Sequence, residues 1–112
     1  MPTSGDVVRV DLGTPLGSES GMVRPVVIIT AQRVLGHSPR VLQVVPLTTT
    51  IRGWTSEVTI PADSQAGLGT LSAAQCQHIR AIAAERVIGE IGNVGAVVLH
   101  QIRETLATLL DQ

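Results

Sequence analysis

An arginine followed at once by a proline and four aliphatic residues, Arg24-Pro25-Val26-Val27-Ile28-Ile29, is the sequence's strongest chemical signal. Arginine rarely enters an apolar run without a partner or a task. A second apolar run ends in hydroxyls, Val44-Val45-Pro46-Leu47-Thr48-Thr49-Thr50. Where two neighbouring strands end in this way, a permanent cation with a planar fork of donors meets short, stiff hydroxyls. That pairing suits a phosphate. Glu19, in the Gly17-Ser18-Glu19 stretch just upstream, adds a carboxylate able to orient the guanidinium or to exchange a proton with a reacting hydroxyl.

Each of these residues also has a structural reading. Arg24 could be a strand-entry cation paired with Asp6, Asp11 or Glu19. Thr48 to Thr50 could cap a turn, and Glu19 could be a solvated surface acid. Pro25 favours the functional reading of Arg24, because proline marks a strand start or edge, where a side chain can point into a cleft. Trp54, the sole aromatic residue, is either a lid over the core or a platform on which a base stacks. Gln77 could read a base edge or phosphate, or satisfy backbone groups. The glycines at 13, 17 and 21 form no phosphate loop, since no Gly-Lys-Ser/Thr ending follows. His37, His78 and His100 show no metal or acid–base spacing, and a lone Cys76 excludes an intramolecular disulfide and a cysteine-rich zinc site.

The elements that must position these residues are mostly short strands. Alternation supports strands at 6–12, 24–31, 41–48 and about 56–60, with Val8 and Val10 on one face of the first, as in a strand near an edge. A Gly/Ser/Pro-rich loop spans Leu12 to Met22. Pro61 breaks the fourth strand. Gly67–Leu71 and Gln75–Ile82 read as further strands, Ala84–Arg86 as a helical turn, and Ile88–Ile91 as a last strand before Gly92-Asn93 turns the chain. From Val94 onward, Leu99, Ile102, Leu106 and Leu109 recur at helical steps and put one apolar stripe on a terminal helix. Many short strands closed by one amphipathic helix suggest a mainly β (α+β) fold, a small, partly open barrel with the helix packed across it.

With 112 residues there is room for one domain, 1–112. Phe and Tyr are absent, so the core must be Val, Ile, Leu and Ala, and such a core gains burial by self-association. All eight basic residues are Arg and the net charge is −1. That balance excludes long non-specific tracking along nucleic acid but leaves room for a local grip on a few nucleotides. No apolar stretch is long enough for a membrane helix and no leader pattern opens the chain, so a cytoplasmic location is expected.

The fragments Gly5-Asp6-Val7-Val8, Asp11-Leu12, Gly17-Ser18-Glu19, Arg24-Pro25-Val26, Pro46-Leu47-Thr48-Thr49, Gly53-Trp54, Glu57-Val58 and Gln77-His78-Ile79-Arg80-Ala81-Ile82 come in an order and spacing that resemble the MazF/PemK/Kid family of bacterial toxins. The resemblance covers nearly the whole chain. It implies an SH3-like barrel, a homodimer with RNA-binding grooves along its interface, and sequence-specific cleavage of single-stranded RNA as an mRNA interferase. The implied reaction needs no metal or other cofactor and leaves a 2′,3′-cyclic phosphate and a 5′-hydroxyl. Arg24, Thr48 and Glu19 would be catalytic, with Ser18, Thr49, Arg52, Trp54, Gln77 and Arg80 contacting RNA. A MazE-like antitoxin would block the site through an acidic C-terminal segment whose carboxylates mimic phosphates. Two alternatives share the fold. One is a CcdB-like gyrase poison, disfavoured by the intact Arg24 and Thr48 context. The other is a non-catalytic SH3-like module, disfavoured by the near absence of aromatic residues.

Overall fold

The computed structural model describes residues 2–14, 16–17, 22–63 and 65–111. Seven strands form one antiparallel sheet: β1 (Asp6–Asp11), β2 (Val23–Ile28), β3 (Val41–Thr48), β4 (Glu57–Ile60), β5 (Ser72–Gln75), β6 (Arg80–Ala83) and β7 (Val87–Asn93). The strand order is β4-β5-β3-β2-β1-β7, with β6 also paired to β3. A single turn, α1 (Gln32–Leu35), links β2 to β3, and α2 (Gly95–Leu109) closes the chain. The sheet curls into a partly open barrel with a terminal helix packed against it.

Both faces of the central strands are buried, which explains their nearly unbroken valine and isoleucine runs. On one face Val7, Val27 and Val45 join Ile60, Leu99, Ile102 and Leu106 under α2. On the other, Val8, Val10, Val26, Ile28 and Val44 join Leu35, Leu42 and Ile82 inside the barrel. β1 lies between β2 and the edge strand β7, near an edge as its alternation suggests. Val7 is buried because α2 covers the start of that face, while Arg9 and Asp11 lie beyond its cover and are exposed.

Three expectations change. Gly67–Leu71 is turn and irregular backbone, and the strand is Ser72–Gln75. Asp63 forces the turn by accepting the Ala66 N–H on Oδ1 (3.0 Å) and the Gly67 N–H on its carbonyl (3.3 Å). Gly67 itself has φ +73, and a Cβ there would stand 2.3 Å from the Ile91 carbonyl oxygen, so β7 crosses this turn too closely for any side chain. The expected strand Gln75–Ile82 is broken by a 3₁₀ turn at Cys76–His78, closed by Ile79 N–H to Cys76 O (3.2 Å). Its two halves both pair with β3, β5 at Leu47–Thr48 and β6 at Val41–Val44. The kink sends Cys76 to the helix-side core and Ile82 to the barrel interior. Leu99, Ile102 and Leu106 bury as the stripe requires, but Leu109, the last helical residue, is 47% exposed because no core lies beneath it. Short α1 left no periodic signal, yet its Leu35 is fully buried inside the barrel. The 3₁₀ turn at Ala84–Arg86 falls where expected.

Candidate active site

Period-two geometry decides what β2 and β3 present. Val26 and Ile28 face the barrel interior, so Arg24 lies on that same face one pleat beyond the aliphatic cluster. Val44 does the same for Pro46 and Thr48 on β3. The β2–β3 ladder pairs Ile28 with Val44 and Val27 with Val45, and it ends at Val26↔Pro46, a residue with no N–H to donate. Carrying that register one pleat further places Arg24 opposite Thr48. On the next strands, Leu47↔Ala74 and Glu57↔Gln75 bring Gln75 and Glu57 onto the same face. One sheet face thus changes from aliphatic to polar where its strands end.

A cavity of about 470 Å³ opens there, lined by Arg24, Thr48, Thr49, Thr50, Thr70 and Ser72 among others, and by no carboxylate among the described residues. Arg24 is half-buried. Its Nη1 donates to Gln75 Oε1 at 3.4 Å, and its Nε is buried without a hydrogen-bond partner. The structural reading of Arg24 as a strand-entry ion pair does not hold for two of its three candidates. Asp6 accepts from Thr3 N–H (2.7 Å) and the Asn93 amide (3.0 Å), and Asp11 accepts from Gly13 N–H (2.8 Å). The third candidate, Glu19, lies outside the described residues, as does Ser18.

Thr48 makes the turn-capping bond of its structural reading. Its Oγ1 accepts the Thr50 N–H at 3.0 Å, which tightens the strand end and leaves the hydroxyl proton available to donate. Thr49 and Thr50 are exposed at the cavity wall. The Ser72 hydroxyl is committed to the Thr70 carbonyl at 2.9 Å, so it contributes an acceptor rather than a donor.

Arg52 and Trp54 sit in the loop between β3 and β4. Glu57 builds this loop: its Oε1 accepts the consecutive N–H groups of Arg52 (3.1 Å), Gly53 (2.8 Å) and Trp54 (3.3 Å). Such convergence of three amides requires the left-handed φ of +75 at Gly53. The Arg52 guanidinium lies 5.1 Å from the Trp54 ring centre, and the indole remains 52% exposed. Trp54 is therefore not a lid over the core but a free aromatic face backed by a cation.

Gln77 and Arg80 stand apart from this group. Gln77 lies in the 3₁₀ turn with both amide atoms buried and without hydrogen-bond partners. Arg80 pairs with Val44, four residues before Thr48, so it stands about 13 Å along the strand. Neither lines the cavity. Sequence reasoning missed Thr70, Ser72 and Gln75. They come from an Ala/Ser/Gly-rich stretch without periodic signal, and only the β3–β5 register brings them to Arg24.

The comparisons agree with this fold. Residues 3–110 match the sequence profile of the PemK-like, MazF-like toxins of type II toxin–antitoxin systems. Endoribonuclease MazF9 of Mycobacterium tuberculosis is 35% identical over 116 aligned positions, covering 99% of this chain and 98% of that protein. The crystal structure of MazF from Deinococcus radiodurans superposes with a TM-score of 0.84 at 25% identity, covering 99% of this chain and 97% of that one. A MazE–MazF structure from the same organism gives a TM-score of 0.77 at 25% identity, covering 99% and 96%. An open barrel that sets an amide-held arginine against a run of threonines, and a profile match over nearly its whole length, identify the chain as a member of the PemK-like, MazF-like toxin family of type II toxin–antitoxin systems.

Proposed function

We propose that the protein is a sequence-specific endoribonuclease toxin of the mRNA-interferase type that cleaves single-stranded RNA, and that a MazE-like antitoxin restrains it. The observation that carries this reading is the half-buried Arg24, held by a neutral amide and facing Thr48 across a cavity without a carboxylate among the described residues. A phosphate entering that cavity meets a cation whose charge is not spent on a described neighbour. The relatives support the chemistry: one is named an endoribonuclease, and one is solved together with MazE.

In the proposed reaction the ribose 2′-oxygen attacks the adjacent phosphorus. The O2′–P bond forms as the P–O5′ bond breaks and the departing O5′ takes a proton from water, leaving a 2′,3′-cyclic phosphate and a 5′-hydroxyl. Arg24 stabilises the charge that grows on the non-bridging oxygens, and the Thr48 hydroxyl donates to the same group. Glu19 either takes the 2′ proton or orients the guanidinium, and Ser18 contacts the RNA. Thr49 flanks the phosphate site. Arg52 and Trp54 receive a neighbouring nucleotide, the indole by stacking and the guanidinium by charge. Arg80 meets RNA further along a groove completed by a second copy of the chain, whereas Gln77, with both amide atoms buried, presents no polar atom to it. The antitoxin's acidic segment competes for the same cation. Cleavage proceeds without a metal ion or other cofactor, and the cytoplasm is its site of action.

Replacing the ribose at a mapped cleavage position by 2′-deoxyribose tests the mechanism. The substituted RNA should bind but stay intact, since the nucleophile is gone. Hydrolysis of the deoxy position at the rate of the all-ribose RNA would refute in-line attack by O2′.

A further inference from the structure

We propose that Gln75 is a positioning residue for Arg24, a neutral amide that fixes the guanidinium toward the cavity without neutralising it. The inference rests on the nuclease reading above. Gln75 is only 6% exposed although it is polar and ends a strand of otherwise small residues, Ser72-Ala73-Ala74. Burying an amide is unfavourable unless it makes hydrogen bonds, and its Oε1 accepts from Arg24 Nη1. The 3.4 Å separation is long for such a bond, so the fork is confined rather than locked and can close on a ligand.

The choice of an amide follows from the charges around it. Among the described residues, the groups facing Gln75 are Arg24 on β2, Glu57 on β4, and the uncharged Pro46 and Thr48 on β3. Glu57 does not reach Arg24: one of its oxygens is bonded by three loop amides and the other is buried without a partner. A carboxylate at position 75 would hold Arg24 equally well but would occupy its charge. An aliphatic side chain would preserve the charge and let the fork swing away. Only a neutral acceptor does both jobs, and it places a second donor edge of Arg24, the unpartnered Nε, within the buried end of the site.

Three variants separate this role from mere packing. Each is assayed for cleavage of an RNA oligonucleotide and for salt-dependent binding of its non-cleavable 2′-deoxy analogue. Gln75→Met keeps volume and loses the acceptor. It should lower kcat by about tenfold or more with KM within about threefold, because the lost geometry matters chiefly in the transition state. Gln75→Glu should bind the analogue more weakly, with a slope of log affinity against log salt reduced by about 0.7, the loss of one phosphate contact on a single strand. Gln75→Asn withdraws the amide by one methylene and should repeat the methionine result, which keeps the test decisive if the methionine variant fails to fold. Wild-type kcat in the methionine or asparagine variant, or a wild-type salt slope in the glutamate variant, would overturn the inference while leaving the nuclease reading intact. A wild-type chain that does not cleave RNA would overturn both.

Discussion

Arg24→Met separates a residue kept for function from one kept for stability. Methionine retains the unbranched stem that packs at the end of β2 and removes only the guanidinium. In the folded chain Arg24 Nε is buried without a partner, an arrangement that costs about 1–3 kcal/mol. Losing the Nη1 contact to Gln75 costs only about 0.5–1.5 kcal/mol, because such bonds replace water. The two effects leave stability between about 0.5 kcal/mol lower and about 2.5 kcal/mol higher than wild type. At roughly 3–6 °C per kcal/mol for a chain of this size, Tm should stay within a few degrees or rise. Cleavage should fall by about 10²–10³, or about 2.7–4 kcal/mol of transition-state stabilisation, the usual effect of removing one charge-stabilising donor. Thermal unfolding and single-turnover cleavage on the same preparation read both quantities. A Tm drop of more than about 10 °C would make Arg24 a structural residue, and a rate within about tenfold of wild type would remove it from the chemistry.

Other outcomes follow from the same geometry. Thr48→Val deletes the hydroxyl and should slow cleavage at least about tenfold, while Thr48→Ser should restore most of the rate; equal rates for all three would reduce Thr48 to a turn residue. Glu57→Ala removes the acceptor shared by three loop amides, so acrylamide should quench Trp54, the sole fluorophore, more strongly and RNA affinity should weaken by about 1–3 kcal/mol, with unchanged quenching counting against the loop's dependence on Glu57. Burial pushes the Cys76 thiol up to about 11 from 9.0. The unfolded chain then releases this proton at lower pH than the folded one, so stability is full below pH 9 and declines toward pH 11 by about 2–3 kcal/mol. With no Lys or Tyr in the sequence, urea midpoints should show that loss in wild type and lose it in Cys76→Ala; a pH-independent wild type would contradict it. Light scattering at micromolar concentration should give twice the 11.7 kDa chain mass, and a monomer that still cleaves would displace the groove from a dimer interface.

How much of this was legible without coordinates depended on whether a residue's role is local. β3 was readable to the residue because Val41–Thr48 combines alternation with a proline and a threonine run. That Arg24 and Thr48 lie near each other was readable because both end strands that are adjacent in sequence and in the sheet, one pleat beyond the last pair, Val26↔Pro46. Leu99, Ile102 and Leu106 were found from helical spacing alone. Gln75, Thr70 and Ser72 were not, since they reach the site through a β3–β5 pairing across more than twenty residues, which no local pattern encodes. The split of β5 from β6 was hidden for a related reason: two cores pull on alternate residues of one segment, and a short-range pattern shows the alternation but not the kink. Motif order does not show how far Arg80 stands from the cavity, which the register sets by pairing it with Val44.

The central claim is that a cation unneutralised by its described neighbours, set against a threonine hydroxyl, cleaves RNA by transesterification. Its most direct test is incubation of the purified protein with a long RNA in EDTA, followed by mapping and chemical identification of the new ends. Cuts at discrete sequence positions, each with a 5′-hydroxyl and a 2′,3′-cyclic phosphate, are the predicted result. Intact RNA, cleavage that returns only with a divalent ion, or 5′-phosphate ends would contradict it.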